Sequence, residues 1–129
     1  MKNLDQRKQI IEFCLKLNST NLSPLRSGNI SSRAKEDGKD GYLITPSGKK
    51  YESLKPENIV FMGLNEEIEN NDSGNKPSSE WRFHRDIYLN KKEVSNPFKY
   101  RYYNQAFYFF QILYCQNIIF VEYFYKYYD

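Results

Sequence analysis

The chain has 129 residues, with 19 Lys and Arg against 16 Asp and Glu, and therefore a formal net charge of +3. This length suits one modest domain with a core of moderate size. Because the lysines are scattered among acidic residues, the charge pattern indicates no nucleic-acid-binding surface.

The first predicted element is a helix over residues 4–17. Apolar residues such as Ile10 and Cys14 recur there at helical spacing, and a polar run at 18–21 ends the pattern. We interpret this helix as structural. No charged leader with an apolar centre and a small-residue cleavage site precedes it, which predicts a cytoplasmic protein.

Three strands are predicted next, over residues 29–33, 42–45 and 59–64, with a polar turn at 35–40 between the first two. Small-residue turns flank them, namely Ser27-Gly28-Asn29-Ile30-Ser31 and Thr45-Pro46-Ser47-Gly48. Glycine lets a backbone approach a ligand closely, and side-chain oxygens or amides can then face it. Either turn alone is more often an ordinary structural loop than a ligand-binding one.

A polar, acidic segment at 66–76 is predicted to be a loop with one short strand at 67–69. A second helix is predicted over residues 79–90, because Trp81, His84, Ile87 and Tyr88 fall on one face. The order of helix, strands and helix indicates a layered α/β domain.

Two hydroxyls and a carboxylate open this second helix, in Ser78, Ser79 and Glu80. Unpaired N–H groups and a partial positive charge at a helix N-terminus favour phosphate or another oxyanion, which two serines could help to bind. The simpler interpretation is that one serine caps the helix and Glu80 favours its first turn.

Four segments occur in an order that resembles the class II aldolase/adducin family, and within it the L-fuculose-phosphate aldolases. They are the Ser27-Gly28-Asn29 loop, residues 41–48, Tyr51 with residues 54–60, and residues 76–84. The resemblance covers residues 1 to about 95. It implies the three-layer α/β/α sandwich of the class II aldolases, truncated here, and a homotetramer by analogy.

The resemblance also implies which residues form the site. The phosphate of a small-molecule sugar phosphate is expected to bind Gly28, Asn29, Ser47, Gly48, Ser78 and Ser79. Glu80 is expected to be the catalytic acid/base. The implied activity is a lyase of carbohydrate metabolism that yields dihydroxyacetone phosphate and an aldehyde.

Three other interpretations stay open. Pentulose-phosphate epimerases resemble the chain over the same segments but usually have Ser-Ser-Asp-Thr where it has Ser78-Ser79-Glu80-Trp81. Methylthioribulose-phosphate dehydratases also share the scaffold. A non-catalytic, adducin-head-like interaction module would need neither the carboxylate nor the phosphate turns, and their presence argues against it.

Family members bind zinc through a His-x-His pair after the second helix and a third, later histidine. The only histidine here is His84, for which we predict a hydrogen-bonded packing role. Cys14 and Cys115 lack metal-ligand spacing and are predicted to be reduced, buried thiols. We therefore expect this chain to bind zinc poorly and to be inactive alone.

The composition changes abruptly after Asn96. Residues 97–129 contain nine of the 12 Tyr and six of the 9 Phe. We interpret 1–96 as the family-like part and 97–129 as an unrelated tail, with a frameshift in an AT-rich gene as the leading hypothesis. Polar residues throughout the tail argue against a membrane anchor. A sheet cut short at this point is expected to leave an unpaired edge.

Overall fold

A computed structural model describes residues 1–19, 28–65 and 74–90 in full, and the backbone of 101–105, 108–115 and 118–125. The predicted strand at 67–69 lies outside these ranges. The described elements, in chain order, are α1 (Leu4–Ser19), β1 (Asn29–Glu36), β2 (Lys39–Ile44), β3 (Val60–Gly63), α2 (Trp81–Asn90), β4 (Arg101–Gln105), β5 (Tyr108–Cys115) and β6 (Ile118–Tyr125). Both predicted helices and all three predicted strands are confirmed.

The six described strands form one sheet in the order β3-β2-β1-β6-β5-β4. Each neighbouring pair is antiparallel, and β6 pairs with β1 from Asn29 opposite Val121 to Ser32 opposite Ile118. The side of β1 that faces away from β2 is therefore occupied by β6, a strand of the aromatic tail. The outermost strands of the described sheet are β3 and β4.

Two apolar clusters cover opposite faces of β1–β3, because successive side chains of a strand point to opposite faces. Leu43 packs with Ile10 and Cys14 of α1 on one face. Tyr42 and Ile44 pack with Trp81 and Tyr88 of α2 on the other face. The cluster beside α1 also includes Tyr51, Leu54 and Ile59. Thus α1 and α2 lie on the two sides of a layered α/β unit.

The turn between β1 and β2 is tighter than predicted. The strands pair as far as Glu36 opposite Lys39, and only Asp37 and Gly38 connect them. Both have positive φ angles, 49° and 78°, as a type I′ hairpin turn requires. The predicted turn at 35–40 is wrong at its limits because the polar residues Lys35, Glu36, Lys39 and Asp40 belong to the strands.

Within the described ranges, no helix has both the length and the apolar character needed to span a membrane.

Replacing Gly41 with alanine is expected to destabilise the sheet by about 2 to 3 kcal/mol, because overpacking forces the backbone apart. A Cβ at this position would collide with the carbonyl oxygen of Met62 and lie 2.6 Å from the ring of Phe61. Urea unfolding measures the loss, with Gly38→Asn in the same hairpin as a control. Nothing lies within 4 Å of a Cβ at Gly38, and asparagine tolerates its positive φ. Equal stability of the two variants would contradict the expectation.

Candidate active site

Three loops meet at a cavity of about 320 Å³ beside one end of β1 and the start of α2. The cavity is lined by every predicted site residue, namely Gly28, Asn29, Ser47, Gly48, Ser78, Ser79 and Glu80. Ser27, which belongs to the first motif, lies outside the described residues. The structure thus brings the predicted residues together from three separate segments of the chain, while their chemical roles stay predictions.

Backbone hydrogen bonds join the second and third loops. The N–H of Ser78 donates to the carbonyl oxygen of Thr45 at 3.0 Å, and the N–H of Ser47 donates to that of Lys76 at 2.9 Å. Pro46 and Pro77 lie opposite each other in this short antiparallel bridge. Because the donors and acceptors are main-chain groups, the turn after β2 and the segment before α2 keep a fixed separation.

Thr45 also links the second loop to the first. Its N–H donates to the carbonyl oxygen of Ile30 at 3.0 Å, and its hydroxyl oxygen accepts the N–H of Ile30 at 3.3 Å. The hydroxyl of Tyr51 donates to the carbonyl oxygen of Gly28. Thr45 and Tyr51 are buried, so these contacts hold the Gly28-Asn29 backbone at the cavity wall.

The paired serines differ in their surroundings. Ser78 is buried, its hydroxyl donates to Oδ1 of Asn29, and its oxygen accepts the N–H of Glu80 at 3.3 Å. Its side chain therefore caps the start of α2, as the simpler interpretation holds, and also orients Asn29. Ser79 is exposed, and its side chain has no hydrogen bond within the part of the chain that the structure describes. The Ser79 hydroxyl is thus available to a ligand.

Two lysines outside the set of predicted site residues also line the cavity. Lys49 and Lys50 are exposed and directly follow Gly48, whose φ of 73° turns the chain at the cavity rim. Together with half-buried Glu80 they give the lining a net positive formal charge. The sequence feature that could have predicted these two lysines as cavity residues is their position immediately after the Thr45-Pro46-Ser47-Gly48 turn.

His84 lies one helical turn beyond Glu80 and does not line the cavity. It is fully buried, with Nδ1 2.6 Å from the hydroxyl oxygen of Ser31, as its predicted packing role requires. Burial lowers its pKa to about 3, so the ring is neutral at physiological pH. Cys14 is also a buried free thiol, and burial raises its pKa to about 12.

The described residues do not supply the ligands of the zinc site that the resemblance implies. A catalytic zinc site needs about three protein ligands, and the one imidazole present is enclosed in the core beside β1. Among the described residues, no group of three or more His, Cys, Asp or Glu could hold a metal ion. The polar and positively charged groups around the cavity suit an anion instead.

Comparison with known proteins identifies the family. Residues 8–95 match the class II aldolase and adducin N-terminal domain. L-fuculose phosphate aldolase of Haemophilus influenzae is 38% identical over 95 residues, which are 74% of this chain and 41% of that protein. The 5-methylthioribulose-1-phosphate/5-deoxyribulose-1-phosphate aldolase of Rhodospirillum rubrum is 39% identical over 88 residues, 68% of this chain and 37% of that protein.

A solved structure of L-fuculose 1-phosphate aldolase has the same fold over 70% of this chain and 41% of its own, with a TM-score of 0.59 and 32% identity. The chain thus spans about two fifths of the length of the curated relatives it matches. The matched region ends at residue 95, next to the change of composition. On the family match, which covers well over half of the sequence, the chain belongs to the class II aldolase and adducin family.

Proposed function

We propose that the cavity binds the phosphate group of a sugar phosphate, and that the chain supplies the phosphate-binding and acid/base part of an L-fuculose-phosphate-type aldolase. The observation that carries this proposal is the convergence of all seven predicted site residues on one cavity. Relatives named as aldolases of fuculose phosphate and of methylthioribulose phosphate support phosphorylated sugars as the substrate class.

The groups that line the cavity suit a phosphate dianion. Exposed Ser79 stands at the start of α2, where backbone N–H groups and the helix dipole favour an anion. Lys49 and Lys50 add positive charge at the rim. Because Oδ1 of Asn29 accepts the hydroxyl of Ser78, the amide nitrogen of Asn29 is left as a donor for the ligand.

Glu80 is proposed to be the acid/base group. Its backbone N–H is held by Ser78 and the residue lines the same cavity, so a phosphate held by the helix start would place the sugar carbons beside the carboxylate. A carboxylate there can exchange a proton with a reacting carbon or hydroxyl. Fixing the substrate through its remote phosphate contributes to both affinity and rate.

The described residues offer no ligand set for the cation that the resemblance implies, so the proposed contributions of this chain are phosphate binding, substrate positioning and the acid/base group Glu80. We expect the chain alone to bind a sugar phosphate without cleaving it. A homotetramer is a proposal that rests on the family relation, and a cytoplasmic location is a proposal that rests on the N-terminal sequence. The three-layer α/β/α sandwich is supported by α1 and α2 lying on opposite faces of β1–β3.

Replacing Ser79 with alanine is expected to weaken the binding of dihydroxyacetone phosphate about 10- to 100-fold, the range for one hydrogen bond to a charged group. Isothermal titration calorimetry of the 129-residue chain, without and with added zinc, measures the affinity. Ser19→Ala is the matched control, because Ser19 is exposed at the end of α1 and its hydroxyl donates to the nearby carbonyl of Lys16.

The titration separates the proposal from its alternatives. Binding that is weakened by Ser79→Ala and unchanged by Ser19→Ala supports the proposal. Binding that both variants leave unchanged would place the phosphate elsewhere. Complete indifference of the wild-type chain to phosphate esters would contradict the proposal and favour the adducin-head-like interaction module.

A further inference from the structure

Alternate residues of β1 make polar contacts with α2 along the whole length of the helix. Asn29 contacts Ser78 just before the helix, Ser31 contacts its middle, and Arg33 donates to the carbonyl oxygen of Tyr88 in its last turn at 2.8 Å. These three residues share one face of the strand, because side chains alternate. A helix usually packs on a sheet through apolar side chains, so this row of polar contacts is unusual.

The centre of the row is a buried cluster of three polar side chains. The hydroxyl oxygen of Ser31 lies 2.6 Å from Nδ1 of His84 and 2.9 Å from the hydroxyl oxygen of Tyr88. Ser31 and His84 have no solvent exposure and Tyr88 has 1%. Arg33 also stacks on the ring of Tyr88, with 4.8 Å between its guanidinium carbon and the ring centroid.

Such a cluster does something that apolar packing cannot do equally well. Hydrophobic contacts are non-directional, so apolar packing alone defines the rotation and axial position of a helix less strictly. Buried hydrogen bonds require defined distances and angles, and an unpaired buried partner is costly. Ser31 contacts two residues one turn apart on α2 and therefore restricts both the rotation and the axial position of the helix.

The rotation and the axial position of α2 determine the geometry of the candidate active site. Ser31 lies two residues after Asn29 on β1, and His84 lies one turn after Glu80 on α2. A shift of α2 along β1 would therefore move Ser78, Ser79 and Glu80 relative to the Gly28-Asn29 loop. Misplacement of binding groups by about 1 Å is enough to reduce their effect substantially.

We propose that Ser31, His84 and Tyr88 form a positioning cluster that holds the start of α2 at the correct distance from the Gly28-Asn29 loop for phosphate binding. This inference rests on the proposed function of the cavity. It assigns these residues an indirect role, since none of the three lines the cavity. The cluster acts through the placement of Ser78 to Glu80.

The test compares Ser31→Ala and Tyr88→Phe with Ile10→Val, which trims the apolar cluster on the opposite face of the sheet. Tyr88→Phe is the milder variant and serves if Ser31→Ala folds poorly. Two properties are measured on each chain besides its melting temperature, namely the Kd for dihydroxyacetone phosphate and the emission of Trp81. Trp81 is the only tryptophan, is 3% exposed and begins α2, so its fluorescence reports on this part of the helix without a ligand.

We expect Ser31→Ala to raise the Kd about tenfold and to shift the Trp81 emission to longer wavelength, with a smaller change of the same sign for Tyr88→Phe. Ile10→Val should lower the melting temperature without either change. If the wild type binds and the cluster variants match Ile10→Val in Kd and emission, the positioning role is wrong and the proposed function stands. If the wild type does not bind, both are wrong.

Discussion

Replacing Arg7 with methionine is expected to lower the free energy of unfolding by about 3 to 5 kcal/mol, the typical cost of removing one partner from a buried ion pair. Arg7 is a buried residue of α1, and its guanidinium lies 2.8 Å from a carboxylate oxygen of Glu36. It also donates to the carbonyl oxygens of Lys2, Pro56 and Ile59. Methionine keeps much of the side-chain volume, so the loss would come from these polar groups.

Lys8→Met is the matched control, because Lys8 is an exposed neighbour in the same helix and the substitution removes the same charge. Urea unfolding followed by circular dichroism measures both variants. A second chain with Arg7→Met and Glu36→Leu should recover part of the loss, because the carboxylate that would be left without its partner is gone. A loss for Arg7→Met within about 1 kcal/mol of that for Lys8→Met would show that the Arg7 contacts contribute little, as exposed pairs do.

The elements that the sequence predicted well are those with local signals. Helical spacing of apolar residues such as Ile10 and Cys14 predicted α1, which runs two residues further than expected, to Ser19. The apolar face of α2 was predicted in the same way, and Trp81, His84 and Tyr88 are buried there. In both helices one side is buried and therefore apolar, so the spacing of apolar residues in the sequence predicts both the helix and its buried face.

The hairpin shows where that reasoning fails. The polar character of Lys35 and Glu36 predicts a turn, yet both residues continue β1 at its hairpin end. Strands near a hairpin tip need no apolar face, so composition does not separate strand from turn there. The Asp37-Gly38 dipeptide was the better signal, because a two-residue turn of this type requires positive φ at both positions.

For the candidate site, the sequence predicted the participating loops but not the contacts that join them. The motifs identified the residues that line the cavity, whereas the link from Tyr51 to Gly28 and the pairing of Thr45 with Ile30 depend on how distant segments pack. The sequence also does not show that Ser78 is buried and Ser79 is exposed, because two adjacent serines have the same local signal.

The tail is the part that the sequence described least. Its composition predicted a boundary near residue 96 but no structure, and β6 nevertheless pairs with β1 in the same sheet as β2 and β3. Tyr, Phe and Ile favour strands whatever their origin, so a segment rich in them can pair with an available strand edge. The division of the chain at residue 96 and the frameshift origin of residues 97–129 stay predictions.

Replacing Asn29 with aspartate is expected to weaken the binding of dihydroxyacetone phosphate at least about 100-fold, because like charges about 4 Å apart repel by several kcal/mol near a protein surface. An aspartate at this position could still accept the hydroxyl of Ser78, since the accepting atom is Oδ1 in both residue types. The contact between β1 and the start of α2 is therefore retained, and the melting temperature should change little. The substitution removes the amide donor and adds a negative charge at the cavity wall.

The matched control is Asn58→Asp, which makes the same change outside the cavity lining, where Oδ1 accepts the N–H of Lys55 at 3.0 Å and an aspartate can do so too. Titrations at low and high salt separate the two effects on Asn29, because repulsion between partly solvated charges is screened and a missing donor is not. If the loss of affinity caused by Asn29→Asp becomes smaller as the salt concentration rises, the phosphate lies beside residue 29. If the two variants bind with equal affinity at low salt, Asn29 is not part of the phosphate-binding site. The hydrogen bond from Ser78 to Asn29 then has no role in presenting the Asn29 amide to a ligand.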